Sequence, residues 1–281
     1  MLERLGFKHL ISPKIPGTKR VWIHALSVGE VKSALPLANA IQKQLSESLS
    51  NQQKNLTNQS SNSNIQSCYE LIVTASTRTG FNMAQELFAI STATTATSTK
   101  SKTNKSISTN DTDTSVKAIQ VGYFPFDLPF SVKSICSRID PDMVIIVESD
   151  LWPGFLWHMR TKQVPVFLVN ARLSQSSFDG YMLFKNFFSS VFCLFQTIMV
   201  QTELDKIRFV KIGIPEKNIR VTGNIKFDQP MPEIKNLDNL KANFGGKYFI
   251  AGSTHHGEEE IILSVFKELK ESQSLKQMSE Y

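Results

Sequence analysis

The chain has 281 residues, of which 41% are hydrophobic and 20% are charged, and its formal net charge is +6. This apolar content is sufficient for the core of one or two domains, and the charged fraction is too low for a disordered chain. The positive charge favours anionic partners such as phosphates or an acidic membrane surface. No basic tract concentrates that charge, so the sequence argues against nucleic acid as a partner.

The elements alternate along the chain between short β-rich runs and longer amphipathic runs. The predicted strands cover residues 20–26, 70–76, 118–124, 143–149, 164–170, 197–202 and 218–223. The predicted helices cover residues 30–45, 80–90, 129–139, 151–161, 183–195 and 203–212. Near-continuous apolar strands separated by helices indicate a parallel sheet that is covered on both faces. We therefore predict an α/β fold with a doubly wound, Rossmann-like domain.

Two segments, residues 46–67 and 91–117, are rich in Ser, Thr, Asn and Gln and contain few large apolar residues. They cannot bury enough surface to offset the entropy of ordering, so we predict flexible surface insertions that carry no chemistry. The first domain is predicted to cover residues 1–230, including both insertions, and a linker to cover residues 231–246. Residues 247–281 then begin a second domain as strand, tight turn and helix, too little to make a core of its own.

The cysteines and the apolar segments indicate the redox compartment of the protein and its relation to membranes. Cys68, Cys136 and Cys193 are far apart, which is typical of buried thiols in a reducing cytoplasm rather than of disulfides or a zinc site. Met1 leads into no secretory signal. The most apolar stretch, residues 187–200, is shorter than the roughly 20 residues that span a membrane, so we predict a buried helix end followed by a strand.

In doubly wound sheets, ligands bind beyond the carboxyl ends of the strands, and the first such corner contains Ser27, Gly29 and Glu30. Gly29 permits a tight turn, and the free amides at a helix start can hold an anion. Glu30 in the first helical turn is favoured by the helix dipole. Two interpretations of Glu30 stay open at this point: a helix cap and the base of an enzyme.

Polar residues follow the next strands as well. Thr77 and Arg78, ahead of Gly80, suit phosphate or sugar binding, although they also fit a polar turn with a helix cap. The absence of G-K-[ST] there argues against a nucleotide triphosphatase. Glu148 and Asp150 end an apolar strand, where Asp150 can cap the next helix and the pKa of Glu148 can be tuned.

Two cations stand at later strand exits. Arg172 can pair with a carboxylate or phosphate, and Lys226 can act as a point charge, although each also fits a solvated loop. A rim of carboxylates and cations suits transfer chemistry on an anionic substrate. The histidines show no metal-binding spacing, and H-E-x-x-H, G-x-S-x-G and GxGxxG are absent from the sequence.

Six ordered motifs together resemble one enzyme family. They read WIHALSVGEV, YFPFDLP, VESDLWP, LVNARLS, VTGNIKFD and AGSTHHGEEE. In this order they are similar to the 3-deoxy-D-manno-octulosonic acid (Kdo) transferases, bacterial enzymes that transfer Kdo from CMP-Kdo to a lipid A precursor in lipopolysaccharide synthesis. The resemblance covers nearly the whole chain apart from the two polar insertions.

The resemblance implies a GT-B architecture, in which the first Rossmann-like domain binds the acceptor and the second mainly binds the CMP-sugar. It implies that Glu30 is the general base and that Glu148 and Lys226 assist the transition state, with the exact role of Glu148 left open. It also implies no cofactor and no metal. The residues expected to bind substrate are Ser27, Gly29, Thr77, Arg78, Arg172, Ser253 and His255.

The chain departs from the family at several places. Val147-Glu148-Ser149-Asp150 replaces the usual Met-Glu-Thr-Glu, and His256 stands where Glu is common. Family members usually have an apolar anchor before the point at which this chain starts, and they continue through a full second domain. We therefore expect a truncated chain that lacks most of the CMP-binding half. A folded acceptor-binding remnant without turnover, and a GT-B enzyme that uses another activated sugar, are the alternatives.

The expected location is the cytoplasmic face of the bacterial inner membrane. Without an anchor, association would be peripheral, through apolar and basic surface groups such as those near Arg4, Lys8, Lys14 and Lys19. Each such cation near an anionic surface contributes about 1 kcal/mol.

Overall fold

A computed structural model describes residues 1–56, 69–97, 119–148, 151–229 and 249–278 of the chain. The chain divides into two compact units, residues 1–229 and residues 230–281. Each unit is described by itself below. Ser149, Asp150 and the predicted linker at 231–246 lie outside the described residues.

The first unit is built on one parallel sheet of seven strands. They are β1 (Lys19–His24), β2 (Tyr69–Ala75), β3 (Gln120–Tyr123), β4 (Met143–Val147), β5 (Val166–Ala171), β6 (Thr197–Val200) and β7 (Ile219–Val221). Their order in the sheet is β3-β2-β1-β4-β5-β6-β7, and every neighbouring pair is parallel. This arrangement confirms the predicted doubly wound, Rossmann-like fold.

The helices connect these strands. They are α1 (Val28–Leu56), α2 (Arg78–Thr97), α3 (Pro129–Ile139), α4 (Pro153–Thr161), α5 (Gln175–Leu183), α6 (Lys185–Phe192) and α7 (Glu203–Ile212), with short 3₁₀ helices at Glu216–Asn218 and Ile225–Asp228. The sequence did not predict α5, which begins where the Ser174 hydroxyl accepts the amide of Ser177. Because no side chain of α5 is buried, it lacks the apolar period that reveals the other helices.

Helices cover both faces of the sheet, and the alternation of side chains along each strand divides the core in two. Trp22 packs on one face with residues of α3, α4, α6 and α7, whereas the next residue, Ile23, packs on the other face with residues of α1 and α2. Fully burying side chains as large as Trp22, Phe155 or Phe209 stabilises the fold by roughly 1.5–3 kcal/mol each.

The strand order also locates a crevice. The chain winds outward from β1 through β2 to β3, and it then crosses back to place β4 on the other side of β1. The connections after β1 and β4 therefore leave the sheet in opposite directions, which opens a crevice at the carboxyl ends of these two strands. Any ligand of this unit is expected to bind there.

The described parts of the two polar segments are helical. Helix α1 continues to Leu56 and α2 continues to Thr97, so residues 46–56 and 91–97, predicted to belong to flexible insertions, continue these helices. Once a helix has begun, each added residue gains a hydrogen bond. The rest of both segments lies outside the described residues.

The second unit contains helix α8 (Glu258–Met278). No strand forms among residues 249–278, so the strand predicted at the start of this unit is not found in the part described. A single strand needs a neighbour to pair its backbone groups, and these residues offer none. The apolar residues Ile261, Leu263 and Leu269 of α8 are exposed.

Candidate active site

Three charged residues predicted from separate corners come together at the crevice beside β1 and β4. Glu30 lies in the first turn of α1, and Glu148 directly follows β4. Lys226 lies in the Ile225–Asp228 helix, which follows β7 and packs against α1. The charge of Glu148 raises the pKa of Glu30 and that of Lys226 lowers it, so the three groups act on one another electrostatically.

The Glu30 carboxylate turns back towards the end of β1. Its Oε2 accepts the amide of Leu26 at 2.7 Å, and its Oε1 accepts the hydroxyl of Ser27 at 3.0 Å. In an ordinary capping box, the Ser hydroxyl would accept an amide of the first helical turn instead of donating to the carboxylate. Glu30 therefore stabilises the corner as a local cap, and each of its oxygens keeps a further lone pair for a substrate proton.

Burial makes Glu30 a stronger base. The residue is only 8% exposed, and loss of water around the carboxylate raises its pKa above the ordinary value. The hydrogen bonds from Leu26 and Ser27 oppose this shift but do not cancel it. A carboxylate with a raised pKa binds a proton more tightly, which suits proton abstraction near neutral pH.

Glu148 and Lys226 form an ion pair in the same crevice. The Lys226 Nζ lies 2.9 Å from Glu148 Oε1, with the side chains 48% and 27% exposed, respectively. The backbone of Glu148 has a φ of 68°, a left-handed conformation that is uncommon for a residue other than glycine. Such strained positions cluster at functional sites, and here the turn directs the chain out of the sheet after β4.

The corners after β1 and β2 are joined to each other. The carbonyl of Leu26 accepts the amides of Ser76 and Thr77, and the Thr77 hydroxyl accepts the amide of Gly80 at the start of α2. Arg78, the first residue of α2, is exposed. A Cβ added at Gly29 would meet no atom within 4 Å, so there is open space at the start of α1.

The remaining predicted residues lie on other segments of the chain. Arg172 is exposed just after β5. Ser253 and His255 belong to the second unit, where both are exposed and Ser253 has a φ of 60°. The amide of His255 donates to the carboxylate of Glu258, and its carbonyl accepts the amide of Glu258, so this loop forms the start of α8.

Asp127 is a structural residue that sequence reasoning missed. Its carboxylate accepts the amides of Gly154 and Phe155 at 2.9 and 2.6 Å, so it caps α4 from a distant loop. A Cβ at Gly154 would lie 2.8 Å from Asp127 Oδ1, so glycine is what permits the close approach. Asp127, in the motif YFPFDLP, therefore caps the helix that begins at the last residue of the motif VESDLWP, and only the spatial contact shows it.

His24 is another residue whose role emerges only in three dimensions. It is fully buried beneath the site, its ring stacks on Phe124 at 3.7 Å, and burial lowers its pKa to about 3. Nδ1 lies 3.1 Å from the carbonyl of Thr74, to which it donates as a neutral ring. Across the described residues, no three His, Cys, Asp or Glu side chains converge as a metal-ligand set.

Comparisons with known proteins place the chain in a family. Residues 1–229 match the family model described as 3-deoxy-D-manno-octulosonic-acid transferase (kdotransferase). The chain is 28% identical to the 3-deoxy-D-manno-octulosonic acid transferase of Haemophilus influenzae, over 96% of this chain and 52% of that protein. It is 37% identical to the transferase of the same name from Rickettsia bellii, over 52% of this chain and 35% of that protein.

A bifunctional glycosyltransferase/methyltransferase from Fusobacterium nucleatum is 33% identical over 55% of this chain and 25% of its own length. Among solved structures, the UDP-GlcNAc 2-epimerase from Neisseria meningitidis bound to UDP-GlcNAc matches 74% of this chain and 48% of its own, with 16% identity and a TM-score of 0.43. The chain spans about half the length of the relatives that match nearly all of it, such as the H. influenzae transferase. Since the family model covers all of the first unit, the chain belongs to the 3-deoxy-D-manno-octulosonic-acid transferase family.

Proposed function

We propose that the first unit is the acceptor-binding half of a GT-B glycosyltransferase that transfers Kdo from CMP-Kdo to a lipid A precursor in lipopolysaccharide synthesis. The observation that carries the proposal is the meeting of Glu30, Glu148 and Lys226 at the crevice of a chain that belongs to this family. A buried carboxylate of raised pKa beside an ion pair supplies a base and a separate source of positive charge.

In the proposed reaction, Glu30 removes the proton from a hydroxyl of the acceptor as that oxygen attacks the anomeric carbon of Kdo. The new carbon–oxygen bond forms while the bond between Kdo and the phosphate of CMP breaks, and CMP leaves with the bonding electrons. Lys226 offsets the negative charge that develops on the departing phosphate. Glu148 pairs with the Lys226 ammonium at 2.9 Å, and its own charge favours a cationic sugar centre.

The substrates would contact residues around this centre. The open space at Gly29 and the free amides of the first turn of α1 suit an anionic or hydroxyl group of the acceptor. Neither a metal nor a cofactor is part of the proposal. The residues proposed to bind substrate remain Ser27, Gly29, Thr77, Arg78 and Arg172, with Ser253 and His255 on the donor side.

Membrane association is proposed to be peripheral, at the anionic cytoplasmic face of the inner membrane. None of the helices in the described residues has the length and hydrophobicity of a membrane span. Exposed apolar groups near the start of the chain include Phe7, which stacks on Phe130. The nearby cations are largely engaged, since Arg4 binds backbone carbonyls and Lys14 pairs with Asp142, so apolar contact would contribute more than charge.

The experiment that tests the proposal uses a chimera of residues 1–229 with the second half of the H. influenzae relative. We expect Glu30→Gln to keep the fold and to lower kcat for Kdo transfer by about 10²- to 10⁴-fold, because the amide cannot accept the proton. Glu47→Gln, on the exposed face of the same helix, is the matched control and should leave kcat unchanged. A folded Glu30→Gln chimera with unreduced kcat would contradict the assignment of the base.

A second candidate is acceptor binding without turnover, because Glu30, Glu148 and Lys226 all lie in the first unit, the proposed acceptor half. The 281-residue chain itself would then bind a lipid A precursor, measured by calorimetry, and would release no CMP from CMP-Kdo. Binding together with CMP release would instead assign the complete reaction to this chain. Release of the nucleotide from a different activated sugar would point to another transferase of the same architecture.

A further inference from the structure

Lys226 reaches the site from a part of the chain that does not adjoin it in sequence. Its side chain is about half exposed, and a partly exposed ion pair is too weak to hold a flexible lysine in place by itself. The position of its charge therefore depends on how the Ile225–Asp228 helix is attached to the sheet. Within this helix, the amide of Lys226 donates to Asn224 Oδ1 at 3.0 Å, which sets only the local turn.

The attachment to the sheet is made by Asn170. Its Oδ1 accepts the amide of Ile225 at 3.1 Å, which joins the end of β5 to the residue immediately before Lys226. Asn170 is 2% exposed, so water does not compete readily for this hydrogen bond. The backbone carbonyl of Asn170 separately accepts the side-chain amide of Gln201 at 3.1 Å.

The conformation of Asn170 explains why this residue type suits the position. Its φ is 57°, and the register between β5 and β6 shifts at this point of the strand. Asparagine tolerates the left-handed region better than most residues and also supplies an acceptor oxygen. Glycine would tolerate the backbone but supply no acceptor, and aspartate would bury a second negative charge one strand away from Glu148.

The Nδ2 of Asn170 is buried and has no hydrogen-bond partner among the described residues. An unpaired buried donor costs free energy, so a residue chosen only for packing would not be expected here. The cost is consistent with selection for the other end of the amide, the Oδ1 that holds Ile225.

We propose that Asn170 is a positioning residue that sets Lys226 against Glu148 through the amide of Ile225. This inference rests on the proposed role of Lys226. It predicts that the placement of the Lys226 ammonium depends on the side chain of Asn170 and not on the left-handed backbone at that residue.

The test compares Asn170→Gly with the unchanged 281-residue chain, because glycine keeps the left-handed backbone while it removes the acceptor Oδ1 together with the unpaired Nδ2. Acetylation of Lys226 is followed by mass spectrometry, with the exposed Lys185 as the internal reference. We expect Asn170→Gly to raise the relative rate at Lys226 by about 1.5- to 5-fold, the factor that corresponds to loss of a half-exposed ion pair. Glu148→Gln removes the charge of the partner and so sets the upper limit of the acetylation rate at Lys226. Gln201→Ala should leave that rate unchanged.

A spectroscopic readout separates positioning from a merely structural role. In a carboxyl NMR titration, the pKa of Glu30 should rise in Asn170→Gly, because the Lys226 charge that lowers it moves away. Unchanged labelling and an unchanged Glu30 titration in folded Asn170→Gly would overturn the inference. Neither measurement needs turnover, so that result would leave the proposed role of Glu30 as the base intact.

Discussion

The two ends of the sheet in the first unit differ in how their charged residues are buried and paired. At the amino end, Arg20 is fully buried, its Nε and one terminal nitrogen lie 2.6 Å from Glu70, and its guanidinium also donates to the carbonyls of Ser12 and Ile139. At the carboxyl end, Lys226 and Glu148 are partly exposed. The amino end therefore has its buried charges matched by partners, which is what stability requires.

The carboxyl end keeps features that stability alone would remove. Glu148 and Asn170 both have left-handed backbones, and Trp152 Nε1 and Asn170 Nδ2 are buried donors without a hydrogen-bond partner in the described ranges. Local rules of this kind are broken mainly where a ligand or a reaction needs the geometry. The contrast agrees with the proposed function, in which the pair at the amino end serves folding and the pair at the carboxyl end serves chemistry.

The largest expected effect on stability comes from breaking the amino-end pair. Arg20→Met should lower the free energy of unfolding by about 3–5 kcal/mol, because it leaves the Glu70 carboxylate buried without its cation. Urea unfolding of the 281-residue chain measures the change. The double variant Arg20→Met/Glu70→Leu should recover most of the loss, and a loss below about 1 kcal/mol in the single variant would remove the contrast between the two ends.

The next effect is a pH dependence from His24. Its folded pKa of about 3 lies below its ordinary value of 6.5, so its contribution to stability is present above pH 6.5 and is lost as the pH falls towards 3. On the order of 2 to 3 kcal/mol of stability is lost in this way between pH 7 and pH 4.5. His24→Asn can keep the hydrogen bond to Thr74 without a titrating ring, so its loss of stability over this pH range should be smaller by that amount. Equal slopes for the two proteins would show that His24 is protonated in the fold.

A smaller effect on stability is expected from Asp127, which caps α4 from another loop at the carboxyl end of the sheet. Asp127→Ala should cost about 0.5–2 kcal/mol, because the amides of Gly154 and Phe155 lose their acceptor. Asp127→Asn keeps one acceptor oxygen and should cost less. Thermal unfolding compares the two variants. An equal loss of stability in both would mean that charge, rather than hydrogen bonding, holds the start of α4.

The smallest effect on stability is expected at the site itself. Lys226→Met should change the free energy of unfolding by no more than about 1 kcal/mol, because the pair with Glu148 is partly exposed. It should nevertheless raise the pKa of Glu30, because the ammonium lowers that pKa in the unchanged protein. In the chimera, the acid limb of the pH–rate profile should therefore move to higher pH. A large loss of stability with an unmoved profile would make Lys226 a structural residue.

Several of these features could be predicted from residue patterns. The alternation of apolar and amphipathic runs located all seven strands of the first unit to within a few residues, and it indicated a parallel sheet. It missed α5, which buries no side chain, and it treated residues 46–56 as flexible although α1 extends through them. Both stretches share one property: their apolar residues do not recur at a clear helical period, so the pattern gives no signal for a helix there.

For the site, sequence reasoning proposed Glu30, Glu148 and Lys226 but not how they are held. Ser27 was predicted to bind substrate, and the structure shows that its hydroxyl donates to the Glu30 carboxylate. Asn170 was only a neighbour of Arg172 in the sequence, and its hydrogen bond to Ile225 joins residues that are far apart in the chain. A local sequence pattern cannot reveal a hydrogen bond between residues so far apart in the chain.

By itself, the sequence determined which segments form strands and helices, and it placed an acidic residue at the corner after the first strand, because period and turn chemistry are local properties. Tertiary structure alone decided which corners meet. The strand order sets β1 beside β4 and so brings Glu30 near Glu148, and the bond from Asn170 brings Lys226 to both. Burial then raises the pKa of Glu30, because the loss of water around a carboxylate depends on everything packed against it.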